Sequence, residues 1–158
     1  MADAERIAVT RAIAAPAADI FHVIADPNGH VLIDGSGMLV AAPGARRLTQ
    51  VGDSFEMNMD REPLGDVPLG QYQVVNSVTR FIQDEQLEWS VAWPGSPPFG
   101  HVYGYLLVSA DQRSTDVSSY CDWSNLSPDW RGHISFPVVS SSMLEKSLDK
   151  LAQIVESA

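Results

Sequence analysis

Between Ser54 and Trp123 the chain alternates apolar and polar residues with period two in five successive segments, and beyond Pro137 the repeat lengthens to three and four. That switch constrains the fold more than any other feature. The segments 54–59, 71–82, 87–93, 102–110 and 115–123 each read as a strand with one face to bury. After them, Val139, Met143, Leu144, Leu148, Leu151, Ile154 and Val155 form one stripe of a helix running from about Pro137, with Glu145, Lys146, Asp149, Lys150 and Glu156 on the other side. A lone amphipathic helix that follows a run of strands must bury its stripe on the sheet they make.

Ahead of this block, Ile7, Val9, Arg11 and Ile13 alternate with Ala8, Thr10 and Ala12, a first strand. Pro16 suits the first turn of a helix over 17–25, striped by Ile20, Val23 and Ile24. Asp26-Pro27 reads as an N-cap followed by proline at the first helical position, opening a second short helix toward Leu32 that ends near Asp34-Gly35. A weaker strand falls within 38–50.

The connections between strands are of two kinds. Val51-Gly52-Asp53, 83–86 and 111–114 are short and polar, as tight hairpins require. The others, 61–70, 94–101 and 124–135, are long and carry Leu64, Val67, Leu69, Phe99, Leu126 and Trp130. In an up-and-down antiparallel meander alternate connections fall at opposite ends of the sheet, so the long ones gather at one end, where binding usually lives.

The 158 residues, 45% hydrophobic and 19% charged, fit one folded domain over 1–158. Twenty acidic against ten basic side chains give a net charge of −10, with no basic cluster longer than Arg46-Arg47, which argues against nucleic acid and anionic membrane surfaces as partners. No apolar run approaches the roughly 20 residues of a spanning helix, so no integral membrane association is expected. Asp3, Glu5 and Arg6 stand where a signal peptide builds hydrophobicity, and Cys121 has no internal partner for a disulfide; a cytoplasmic, reduced setting fits both. Monomer and homodimer are both compatible with the sequence.

The order of strand, two short helices, six-stranded meander and long C-terminal helix is carried by four phrases: 13–21 (IAAPAADIF), 26–30 (DPNGH), 81–89 (FIQDEQLEW) and 115–124 (TDVSSYCDWS). Together they resemble the START/Bet v 1-like (SRPBCC) superfamily, within its polyketide cyclase/dehydrase and lipid transport group. The resemblance implies an α+β helix-grip fold, a curved antiparallel sheet of about seven strands wrapped around the C-terminal helix, with an apolar cavity between them that opens near the loops at one end. It does not choose a chemistry, because that superfamily spans carriers, aromatase/cyclases and ligand binders.

Extending the alternation places Phe55, Met57 and Met59, then Leu87, Trp89, Val91 and Trp93, then Tyr103, Tyr105 and Leu107, then Val117, Ser119, Cys121 and Trp123 on one face. A close-packed core accounts for any one of them. Taken together, Trp89, Trp93, Tyr103, Tyr105 and Trp123 bring more N–H and O–H groups than a dry core easily partners. A cavity with aromatic walls and the flexible Met57, Met59 and Met143 accommodates them. The weak helix former 138–142 (VVSSS) is either a plain first turn or, through small side chains such as Ser140, a way to leave room beneath the long loops.

His22, His30, His101 and His133 have no metal-ligand spacing, so neither metal nor other cofactor is expected. His101, which opens the tyrosine strand, and Tyr105 are the candidates for proton transfer, set against the plainer reading of a solvated loop histidine. Gly35-Ser36-Gly37 is not a nucleophile elbow. The sequence therefore reads as a protein that binds or transports a hydrophobic small molecule, such as a lipid, a polyketide or an aromatic metabolite. A polyketide cyclase/aromatase-like enzyme is the alternative, and a protein-interaction module using Phe99 and Trp130 at the loop end is a second.

Overall fold

The computed structural model describes residues 4–156. Strand β1 (Arg6–Ile13) leads into α1 (Ala17–Ile24) and α2 (Pro27–Ile33), followed by β2 (Leu39–Ala41), β3 (Ser54–Asp60), β4 (Gln71–Ile82), β5 (Gln86–Ala92), β6 (Val102–Asp111), β7 (Ser114–Asp122) and α3 (Ser141–Glu156). All seven strands form one antiparallel sheet in the order β1-β7-β6-β5-β4-β3-β2. The meander is thus completed by β1, which pairs along its whole length with β7, from Arg6↔Asp122 to Ile13↔Thr115.

Local chemistry explains the helical insert. The Asp26 carboxylate accepts from the Asn28 N–H at 2.9 Å, and Pro27 takes the first helical position, where a missing N–H costs nothing. Beyond α2, Gly35 allows backbone to lie directly on α3, because a Cβ there would stand 2.2 Å from the Met143 carbonyl oxygen. The Gly35 N–H donates to Ser147 Oγ at 2.9 Å and Lys150 Nζ donates to the Asp34 carbonyl at 2.8 Å. The segment joining α2 to β2 is therefore fastened to the final helix. Helix α3 buries Leu144, Leu148, Leu151, Ala152 and Val155 and packs on β1, β7, α1 and α2. Ile13, Ile20, Ile24, Leu87, Val117 and Leu151 are wholly shielded from solvent, so the dense part of the core lies where α1 and α3 meet the sheet.

Register decides which side chains face inward. Leu87↔Tyr105, Trp89↔Tyr103, Tyr105↔Ser119 and Tyr103↔Cys121 are direct cross-strand partners and so share a face. On β4 the same face carries Tyr72, Val74, Asn76 and Val78, opposite Met59, Met57, Phe55 and Trp89. A bulge between Val78 and Arg80 absorbs the one irregularity in this pair of strands.

Two boundaries differ from the expectation. The link into β3 is not a tight turn at Val51–Asp53: β2 ends at Ala41, and residues 42–53 form a long connection. Pro43-Gly44 turns the chain out of the extended run, with Gly44 at φ +65°, and the segment is then held on α1 by Leu48 N–H to the Ala25 carbonyl (2.8 Å) and Arg47 Nη1 to the His22 carbonyl (2.6 Å). Helix α3 starts at Ser141 rather than near Pro137. Ser140 Oγ accepts the Met143 N–H at 3.3 Å, a capping contact that leaves the β-branched Val138 and Val139 outside the helix. Among the described residues, no helix is long and apolar enough to cross a membrane.

Candidate functional site

The sheet and α3 do not close completely on each other. Between them lies a cavity of about 490 Å³. Its sheet wall consists of Met57 and Met59 from β3, Tyr72, Val74 and Asn76 from β4, Trp89, Val91 and Trp93 along β5, and Tyr103 and Tyr105 from β6. Leu144 and Ser147 face it from α3. The connections 61–70, 93–101 and 123–140 all reach it: the first through Arg61, Asp66, Val67 and Leu69, the second through Phe99 and His101, the third through Trp130, Ile134, Phe136 and Val139. Val67 and Leu69 are 47% and 41% exposed, which puts this segment at the rim. A second hollow, about 610 Å³, is bounded by 43–49 and by Ser54 and Glu56; exposed side chains such as Arg46, Arg47 and Glu56 line it, so it is a surface groove.

Two of the rim segments are knitted together. The Ser127 N–H donates to the Phe99 carbonyl at 2.7 Å, the Phe99 N–H to the Val91 carbonyl at 2.9 Å, and a Cβ on Gly100 (φ +115°) would lie 2.2 Å from the Asn125 carbonyl oxygen. By contrast the backbone hydrogen bonds of 61–70 close within that stretch, with Arg61 N–H to the Gly70 carbonyl and Leu69 N–H to the Val67 carbonyl both at 2.9 Å.

Aromatic rings make most of the wall. His30 lies 4.7 Å from the Trp89 ring and 5.4 Å from Phe55, Trp93 meets Tyr72 and Phe99 at 5.6 Å each, and His101 sits 4.8 Å from Phe136. His30 and His101 are both buried, and burial lowers each to a pKa of about 4. His30 Nε2 lies 2.7 Å from the Ile24 carbonyl, and since a carbonyl only accepts, that nitrogen carries the proton. His101 Nδ1 has no partner, and neither has Asn76 Oδ1.

Burial raises the phenols of Tyr103 and Tyr105 and pushes the Cys121 thiol, cross-strand from Tyr103, up to about 12. Arg61 forks onto Asp66, Nε to Oδ1 at 2.8 Å and Nη2 to Oδ2 at 2.9 Å, and these hydrogen bonds hold the Asp66 carboxyl down at about 2. Away from Asp34 and the paired Arg61 and Asp66, the buried wall therefore offers neutral hydrogen-bonding groups on an apolar surface. Among the described residues no three histidine, cysteine or carboxylate side chains gather as a metal site requires.

Met57, Met59, Trp89, Trp93, Tyr103, Tyr105 and His101 all border this one cavity, whereas Trp123, Ser140 and Met143 do not. Trp123 stacks on Phe136 at 5.6 Å, and Phe136 takes the wall position instead. Ser140 is engaged as the helix cap. Met143 lies one residue from Leu144, about 100° around the helix, and its turn is the one pressed on Gly35. Sequence reading did not single out Asn76, Tyr72, Arg61 or His30 for the wall. For Asn76 the sequence carries a signal: it interrupts the alternate apolar positions Val74 and Val78 of β4.

No family model matches the chain. Among curated proteins it is 30% identical over 118 residues to the uncharacterized protein Rv0088 of Mycobacterium tuberculosis, covering 75% of this chain and 47% of that protein. A second M. tuberculosis protein, the uncharacterized MT0096, is 29% identical over the same length, again covering 75% of this chain and 47% of the relative. The chain spans about half the length of the curated relatives it matches. Among solved structures, protein CV1439 of Chromobacterium violaceum superposes with a TM-score of 0.62 at 15% identity, over 96% of this chain and 97% of that one. Truncated norcoclaurine synthase of Thalictrum flavum gives 0.62 at 15% over 97% and 94%, and the AHSA1-like protein of Aeromonas hydrophila gives 0.59 at 15% over 96% and 92%. The chain has the helix-grip fold that these solved structures share. In this helix-grip protein, then, the hollow lies between the gripping sheet and the gripped helix.

Proposed function

We propose that this helix-grip protein binds or carries a hydrophobic small molecule, a lipid, polyketide or aromatic metabolite, between its sheet and its last helix. The observation that carries the reading is the cavity of about 490 Å³ walled by aromatic and aliphatic side chains, with a rim of long connections. Burial of cargo against that wall supplies the affinity, at about 25 cal/mol per Å² of apolar area before ordering costs. Native mass spectrometry of gently purified protein tests it: a retained mass that is lost on denaturation is expected. Protein that carries nothing, and whose tryptophan fluorescence ignores every apolar probe, would refute the reading.

A cyclase-like enzyme is the second reading, favoured by His101 and Tyr105 bordering one cavity and by the presence of a synthase on the same fold. A histidine lowered to about 4 is a weak base at neutral pH, so catalysis here would rest mainly on holding a reactive chain in shape. Conversion of a bound polyketide mimic, rather than its unchanged release, separates the two. The interaction-module reading loses its main support, because Phe99 is buried, packs edge-to-face on Trp130 at 5.0 Å and faces the cavity with it.

A further inference from the structure

Two side chains in the cavity wall, Asn76 and His101, are each 6% exposed, and each buries a hydrogen-bonding atom that no protein group answers. A native interior rarely leaves such atoms unpaired, because each costs free energy comparable to a lost hydrogen bond. Their placement is not scattered. Asn76 is the cross-strand partner of Val91, and continuing the Ser90↔Val102 register by one residue sets His101 on the other side of Val91. All three border the cavity, so the two unpaired atoms share one crosswise row of the wall, their backbones two strand spacings or roughly 10 Å apart.

The charges around this row are already committed. Arg61 is forked onto Asp66, and the Asp34 carboxylate accepts from Ser36 N–H (2.9 Å), Ser36 Oγ (2.7 Å) and Leu39 N–H (3.1 Å). Among the described cavity-lining residues, two carboxylates thus stand against one guanidinium, and the two buried histidines, His30 and His101, are neutral, while a third, His133, is exposed at the rim. An anionic group placed at this buried row would lose its hydration and find no uncommitted cation among the buried groups in return. A hydroxyl donates and accepts, so it satisfies the Asn76 amide in either orientation and His101 in either tautomer.

We propose that the cavity selects uncharged apolar molecules bearing a hydroxyl group, an alcohol or phenol, and rejects carboxylates of the same size. This rests on the cargo-binding reading above and narrows it. The test compares naphthol, naphthalene and naphthoate by calorimetry at neutral pH, with Asn76→Leu and His101→Phe as variants. Naphthol should bind roughly tenfold tighter than naphthalene, the worth of one recovered hydrogen bond, and naphthoate weakest of the three. Asn76→Leu should bring naphthol down to naphthalene without lowering the melting temperature of the empty protein, since it removes an unsatisfied group. If Asn76→Leu fails to fold, His101→Phe carries the same comparison. Naphthoate binding as tightly as naphthol, or a naphthol preference that survives in every variant that folds, would overturn the selectivity while leaving the cavity a binding site. If none of the three probes binds, the cargo reading itself fails, and the selectivity with it.

Discussion

His30 and His101 put a measurable price of acidity into the fold. Each titrates near 6.5 in the unfolded chain and near 4 in the folded one. Between those values the unfolded chain binds protons that the folded chain refuses, so stability is full above 6.5 and falls as pH drops toward 4, by on the order of 3 kcal/mol for each histidine. Asp66, held at about 2, adds its own loss only below 3.8, so the histidine window is separate. Urea denaturation across this range should show the decline, and His101→Phe should roughly halve it; a midpoint flat between the two values sinks the assignment. Residues of this kind were only half legible in the sequence. His101 stood out by opening the tyrosine strand, but nothing in the Asn28-Gly29-His30 stretch of α2 announces that His30 will be buried between Trp89 and Phe55.

At the scale of elements, the period of the pattern was enough for most of the fold. β4 covers 71–82 as read, the order of elements is as read, and the Asp26-Pro27 pair did open a helix. The departures come where local propensity and tertiary contact act together. VVSSS supplied apolar residues at helical spacing, yet the cap at Ser140 set the start of α3, and the 42–53 connection found its partner in α1 rather than in a hairpin. A position that no periodicity reveals is Gly100, which combines a left-handed φ of +115° with a carbonyl 2.2 Å from where its Cβ would be. Gly100→Ala should therefore cost about 2 kcal/mol or more in chemical denaturation. It should also weaken probe binding, because the join between two rim segments opens. A variant as stable as the parent would mean that the close approach is not real.

For the molecule as a whole, the sheet grips α3 firmly at one end and stands off it at the other, and the stand-off is the part that pattern alone could not measure. Alternation told which face is inward; how far apart two inward faces remain depends on the sum of side-chain volumes and on the Gly35 contact that fixes where α3 sits. The helix start offers a paired test of the resulting space. Val139 lines the cavity and Ser140 does not, so Val139→Trp should cut uptake of an apolar fluorescent probe several-fold, whereas Ser140→Trp should leave it within about a factor of two. Equal effects from both would place the hollow elsewhere.

The uneven fastening of the rim has a kinetic consequence. With 93–101 tied to β5 through Phe99 and to 123–140 through Ser127, while 61–70 is tied in backbone terms only to itself, passage in and out should depend on how readily that last stretch moves. Changes there should alter how long a guest stays far more than which guest is welcome.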